Sequence, residues 1–302
     1  MLPVRRAVAA VITAGALTLG LSSCVTNEET STPQGWQPIL PEKDPAVAAL
    51  VPPELAQRGT LLSATNPPFA PFEFKDSEGN LIGFEMDLAR AVGSVMGLKT
   101  EIRQQDFAMI LPAINGGTID FGASGFTDTP ERQENFDFVD FLYAGIQWAQ
   151  QEGAAPIDPD HACGLTVAVQ RATVGETDDV RPKSEECVAR GEEPIEVLSY
   201  ETADQAATAL VVGRADAFSA DSPVIAWAVE RAGGKITTTG EIFAAAPYGF
   251  ATPKGSQLTD AVAAAMQVLI ESGDYQRILA QWNIEDGLLD QALINEEPAE
   301  LS

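Results

Sequence analysis

Apolar positions along the chain recur in two rhythms. Leu88, Ala91, Val92, Val95 and Met96 fall at helical spacing, and Gly97 stops the run. Met109, Ile110, Ala113 and Ile114 repeat the pattern up to Gly116-Gly117, and Leu258, Val262, Ala265, Met266, Leu269 and Ile270 give a long clean stripe. Pro45–Leu50, Ala206–Gly213, the segment opened by Asp221-Ser222-Pro223, and Tyr275–Trp282 complete the helices, with a polar one inside 173–190. Short apolar runs lie between them: 59–65, 100–103, 119–123, 136–141, 165–169, 195–198, 215–220, 236–239 and 248–252. They read as strands, and Phe72–Lys75 with Leu81–Phe84 reads as a hairpin around Asp76–Asn80. Strand–helix alternation predicts an α/β chain with mostly parallel sheets. Asn66-Pro67-Pro68-Phe69-Ala70-Pro71-Phe72 holds too many prolines for a helix and predicts a fixed loop presenting aromatics. The Gly-, Ala-, Pro- and Asp-rich stretch from Gln150 to Pro159 predicts a crossing between lobes, and the acidic tail from Asn295 a loose end.

One turn stands out chemically. Ser124-Gly125-Phe126-Thr127-Asp128-Thr129-Pro130-Glu131-Arg132 leaves a strand over small and hydroxyl residues. It enters a helix with Thr129 as N-cap and Pro130 at the first position. Free N–H groups, hydroxyls and a guanidinium converge there, which suits a carboxylate. The alternative is that Arg132 merely pairs with Glu131, Glu134 or Asp137 at the surface. No GxxxxGK[ST] or GxGxxG pattern supports a nucleotide.

The first residues are set apart from the fold. Arg5 and Arg6 precede an apolar run, Ala7–Leu19, too short to span a bilayer by itself, and Leu21-Ser22-Ser23-Cys24 follows. This resembles a bacterial lipoprotein signal peptide, with 1–23 removed and Cys24 carrying the lipid; an ordinary secretory signal with a chance Cys is the alternative. Either way the protein is expected to be exported. Cleavage leaves 302 − 23 = 279 residues and a formal charge of −26 − 2 = −28. That balance argues against nucleic acid and anionic membrane surfaces as partners. Once Cys24 is assigned to the lipid, Cys163 and Cys187 remain as a disulfide pair, the alternative being two buried thiols. With His161 the only histidine and no CxxC or HxxxH spacing, no metal is expected, and no cofactor.

The loop 66–74, then Gly83-Phe84-Glu85-Met86-Asp87-Leu88-Ala89, then Asp106–Ala113, then Thr127–Arg132 occur in an order and spacing that resembles the family 3 solute-binding proteins of bacterial ABC importers. The resemblance covers about 57–290. It implies a two-lobed, type II periplasmic-binding fold with two crossing segments: a tether over 24–55, lobe 1 over 56–148 and 247–302, and lobe 2 over 149–246. It implies a monomer that binds a polar amino acid, closes on it by hinge motion, and docks on a membrane permease while its lipid anchor holds it to the outer face of the cell membrane. Matched motif by motif, Arg132, Thr127 and the N–H of Gly125 would meet the ligand's α-carboxylate, with Ala172 and Thr173 contributing from lobe 2. Asp221 and Ser124 would take the α-ammonium, and Phe69 and Phe107 would sandwich the side chain. Asn66 stands where many relatives carry Asp, which lowers the case for lysine or arginine. Arg171 replaces a usual Gly and would reach an acidic side chain or stay exposed. Glutamine, asparagine or an acidic amino acid is therefore the expected ligand. Two rivals remain: a dehydratase of the same fold, with Glu73 and Glu85 as candidate acids, and a sensory or adaptor lipoprotein.

Overall fold

The computed structural model describes residues 32–299, so the signal segment 1–23, Cys24 and the start of the tether lie outside the described residues. The described part of the expected tether does not hang free. Trp36 donates its indole N–H to Asp87 Oδ2 at 2.6 Å, and Ser94 donates its hydroxyl to Pro41 O at 2.6 Å. Helix α1 (Pro45–Leu50) is capped by Asp44, whose Oδ1 accepts from Ala46 and Val47, and α2 (Pro53–Arg58) follows it. Val47, Val51 and Leu55 are buried, so residues from Trp36 onward belong to the packed fold.

The chain then alternates. Strands β1 (Thr60–Thr65), β2 (Phe74–Lys75) and β3 (Leu81–Ile82) lead to α3 (Phe84–Met96), β4 (Lys99–Gln104), α4 (Phe107–Asn115), β5 (Phe121–Gly122) and the one-turn α5 (Pro130–Gln133). The long β6 (Phe136–Gln151) is followed by β7 (Thr166–Gln170), a π-helical turn over Gly175–Val180 and α6 (Arg181–Ala189). Next come β8 (Glu196–Tyr200), α7 (Ala203–Val211), β9 (Ala217–Asp221), α8 (Ser222–Arg231) and β10 (Ile236–Pro253). Helices α9 (Gln257–Ser272) and α10 (Asp274–Gln281) and the short β11 (Leu293–Ile294) and β12 (Glu297–Pro298) end the described chain. Helix ends follow the expected chemistry: Gly97 closes α3 in the left-handed conformation, and Thr129 accepts from Arg132 N to start α5.

One sheet runs β4-β1-β5-β10-β6-β9-β7-β8, with β11 added on β6. β1 lies parallel between β4 and β5, and β7 lies parallel between β8 and β9, so each flank is an α/β unit. The antiparallel pair β6·β10 joins them. Residues Phe136–Asp140 face Gly249–Pro253 on the first flank, whereas Ile146–Gln150 pair with β9 on the second. Register shifts between Thr239 and Gly249 mark where the strands pass from one lobe to the other. The crossing therefore runs through the middle of β6 and β10. The stretch from Gln150 to Pro159, expected to be the crossing, instead turns the chain from β6 toward β7. Loop composition is a poor guide here because a crossing made of paired strand keeps its hydrogen bonds.

The tail is also anchored. Asn295 Oδ1 accepts from Phe138 N at 2.9 Å, its Nδ2 donates to Asp137 Oδ1 at 2.8 Å, and Glu296 N donates to Asp140 Oδ2 at 3.1 Å. Cys163 and Cys187 are joined, 24 positions apart, tying the segment before β7 to α6. Loop-closure entropy assigns that bond about 3 kcal/mol. A Cys163→Ser/Cys187→Ser protein should lose about that much unfolding free energy in urea titration, and reductant should have no further effect on it.

Candidate functional site

The Ser124–Arg132 turn sits where the two lobes meet, because it continues from the carboxyl end of β5 and is bridged to β10 at Thr127 and Tyr248. Arg132, half-buried, donates from Nη1 to Thr127 O at 2.8 Å and from Nη2 across the junction to Ala172 O at 3.3 Å. Its guanidinium lies 6.0 and 5.8 Å from the ring centroids of Phe107 and Phe126, which stack on each other at 4.7 Å. Burial lowers the Arg132 pKa, while Asp178 and Asp221 hold the charge in place.

Asp221 ends β9 on the other lobe and is buried. It occupies the N-cap position of α8, yet its side chain makes no cap bond; the Tyr248 hydroxyl donates to its Oδ1 instead. Burial raises the Asp221 carboxyl to about 6, against the opposing pull of Tyr248 and Arg132. Tyr248 was read from sequence only as a strand residue, and its hydroxyl is pushed well up by burial and by Asp221.

Asn66 forms another junction. Its N–H donates to Ser124 Oγ at 2.9 Å, its Nδ2 to Gln105 O at 2.9 Å, and its Oδ1 accepts from Gln170 Nε2 of lobe 2 at 2.8 Å. Sequence reasoning also missed Gln170, although a lone Gln at the carboxyl end of an apolar strand is where ligands approach α/β sheets. Its Oε1 is buried without a partner among the described residues.

Several expected contacts point elsewhere. Ser124 Oγ donates to Glu73 Oε1 at 2.7 Å, and Gly125 N donates to Glu85 Oε2 at 2.8 Å. The Ala172 N–H goes to Glu176 Oε2 at 2.7 Å, and the Thr173 hydroxyl to Gln170 O at 2.8 Å. The acceptors Glu73 and Glu85 reach the turn from 51 and 40 residues away, whereas Glu176 and Gln170 are local to the lobe 2 segment. Phe69 is buried against Phe72 and against Gly125, where a Cβ would come within 2.6 Å of the ring and where φ is +59°. Phe107 stacks on Phe126 and is 8% exposed, so neither aromatic stands open. Arg171 is paired with Glu201 in a half-exposed ion pair. Glu73 and Glu85, the acids a dehydratase would need, are fully buried beneath the turn. A cleft of 670 Å³ opens beside the cluster, bounded by Thr127, Glu131, Asp178, Lys183 and Phe243.

A guanidinium and a carboxylate from opposite lobes, meeting beside a shared strand pair, define a two-lobed binding protein of the type II periplasmic fold. The chain belongs to the bacterial extracellular solute-binding proteins, family 3, whose model matches residues 61–285. It is 62% identical over 97% of both chains to the arginine-binding protein ArgT of Corynebacterium glutamicum. It also resembles an ancestral arginine-binding protein bound to arginine (TM-score 0.68, 32% identity, 74% of this chain and 98% of that one). An ancestral arginine-binding protein bound to glutamine is similar as well (TM-score 0.69, 31% identity, 76% of this chain and 99% of that one). Among the described residues no helix is long and apolar enough to cross a membrane.

Tyr248→Phe leaves Asp221 without its hydroxyl donor. The Asp221 pKa should then rise above about 6, which carbon-13 titration of labelled aspartate would show.

Proposed function

We propose that this chain captures an α-amino acid, arginine foremost, between its lobes and delivers it to a membrane permease without altering it. The juxtaposition of Arg132 and Asp221 carries this reading. An amino acid presents a carboxylate and an ammonium on adjacent atoms. A planar guanidinium suits the first, and a buried carboxylate suits the second. Phe107 and Phe126 give the guanidinium an apolar backing and keep water from it.

Arginine replaces the neutral amides and acidic amino acids favoured by Asn66, for three reasons. The Corynebacterium relative is named for arginine. Arg171 is held by Glu201, which removes the cation offered to an acidic side chain. Gln170 Oε1 is a buried acceptor without a partner, which a guanidinium N–H would satisfy and a carboxylate would repel. The lobe limits, the monomeric state, the lipid on Cys24 and hinge closure about β6 and β10 belong to the same proposal; closure would bring the charges together out of water.

Calorimetry on the mature protein should show arginine binding more tightly than glutamine, and glutamine more tightly than glutamate. Tightest binding of glutamate would reverse the ligand assignment. The pH dependence follows from Asp221, whose carboxyl titrates near 6 and must be charged to pair with an ammonium. Affinity should be flat from just above that pH to about neutrality and weaken by about tenfold for each pH unit below it, since one proton competes with the ligand. Asp221→Asn should abolish that acid limb and weaken binding by about 2–5 kcal/mol.

A further inference from the structure

Two carboxyls lie beneath the ligand-facing turn with no contact with solvent. Glu73 precedes β2, and Glu85 sits in the first turn of α3; both are 0% exposed. Their hydrogen bonds fix where protons must lie. The Asn66 backbone N–H can only donate, so Ser124 Oγ accepts there and sends its own proton to Glu73 Oε1. Glu85 Oε2 must likewise accept from Gly125 N–H. Glu73 Oε2 and Glu85 Oε1 are left, both buried, facing each other with only the Thr65 hydroxyl beside Glu73 among the described residues. Two full charges there would repel out of water. A single proton between the remaining oxygens turns that repulsion into a hydrogen bond and leaves one negative charge.

We propose that Glu73 and Glu85 hold one shared proton and act as positioning residues for amino-acid binding, fixing the Ser124–Gly125 turn and, through Ser124, Asn66. The effect reaches the lobe junction because Asn66 Oδ1 accepts from Gln170 of the other lobe. Removing the shared proton sets the carboxylates against each other and releases the turn. Burial and mutual repulsion raise Glu73 well above its ordinary range, and burial raises Glu85 as well, so the pair keeps its last proton through neutrality and loses it on the alkaline side. The groups facing the pair are few. β1 offers Thr65, and the turn offers Ser124 and the Gly125 N–H. On α3 itself, Asp87 is bound by Trp36, Trp282 and Arg90. Each glutamate is therefore the other's titrating neighbour.

This inference rests on reading the turn as the amino-acid site, so its test has two arms. The first uses ligand-free protein. An acid whose pKa is raised by folding binds its proton more tightly in the folded state, so stability falls as pH climbs above the unfolded value near 4.5 and keeps falling on the alkaline side until the pair is fully ionised. Glu85→Gln keeps an acceptor for Gly125 and offers an N–H to Glu73, mimicking the protonated pair. The thermal midpoint of the wild type should fall between pH 7 and 9, and that of Glu85→Gln should fall less. The second arm compares arginine affinity at pH 9 and pH 7. The ligand's own ammonium titration is common to both proteins. The wild type should lose up to about tenfold more than Glu85→Gln, the limit for one proton over one pH unit beyond the titration. Glu85→Leu, which strands the Gly125 N–H, should bind more weakly at both pH values. Equal affinity ratios in wild type and Glu85→Gln overturn the positioning role, and equal midpoint slopes overturn the shared proton. Failure of the wild type to bind any amino acid sinks the site reading and the positioning role with it, while the midpoint slopes still decide the proton.

Discussion

Charges held out of water where two lobes meet must be paired, and the architecture around the junction answers that demand. Arg132 on one lobe and Asp221 on the other are each partly served by protein: Thr127 O and Ala172 O for the guanidinium, Tyr248 for the carboxylate. Neither has a charged partner at salt-bridge distance among the described residues. Neutral dipoles offset part of the desolvation cost, and a zwitterion would offset the rest. That is a thermodynamic reason for a ligand to favour the closed arrangement, since it adds charge pairing available only when the lobes are together.

The β6·β10 pair makes this possible without breaking the backbone ladder. Both strands keep pairing as they pass from one flank to the other, and the register shifts are confined to the interval between Thr239 and Gly249. Tyr248 lies in that interval, bridging the Thr127 turn on one side and holding Asp221 on the other. Its position joins the crossing to the site. The C-terminal segment reinforces the lobe 1 end of β6 through Asn295, and Tyr275 donates to Phe141 O at 2.8 Å just before the crossing.

Much of this was legible in the sequence, and the exceptions share a cause. The stripes of α3 and α9, the Gly97 stop and the Thr129-Pro130 helix start are local patterns, and local rules found them. The turn leading from β5 into α5 was legible for the same reason. The full length of β6 was not, because Phe136–Phe141 alternates apolar and acidic residues visibly, whereas Leu142–Gln151 mixes Gly145 and three glutamines among apolar residues with no clean period. The directions of the Ser124 and Gly125 donors were hidden too, since their acceptors Glu73 and Glu85 are set by packing rather than by spacing. Gln170 and Tyr248 acquire meaning only once the lobes are brought together.

The proposed site stands on Arg132 reading the ligand's α-carboxylate. The most direct measurement is a cycle in which arginine and its decarboxylated analogue are each titrated into the wild type and Arg132→Gln by calorimetry. Strong coupling is expected: losing the ligand carboxylate costs the wild type about 2–5 kcal/mol and costs the variant far less, because the partner is already gone. Equal losses in both proteins, with no coupling, would contradict it.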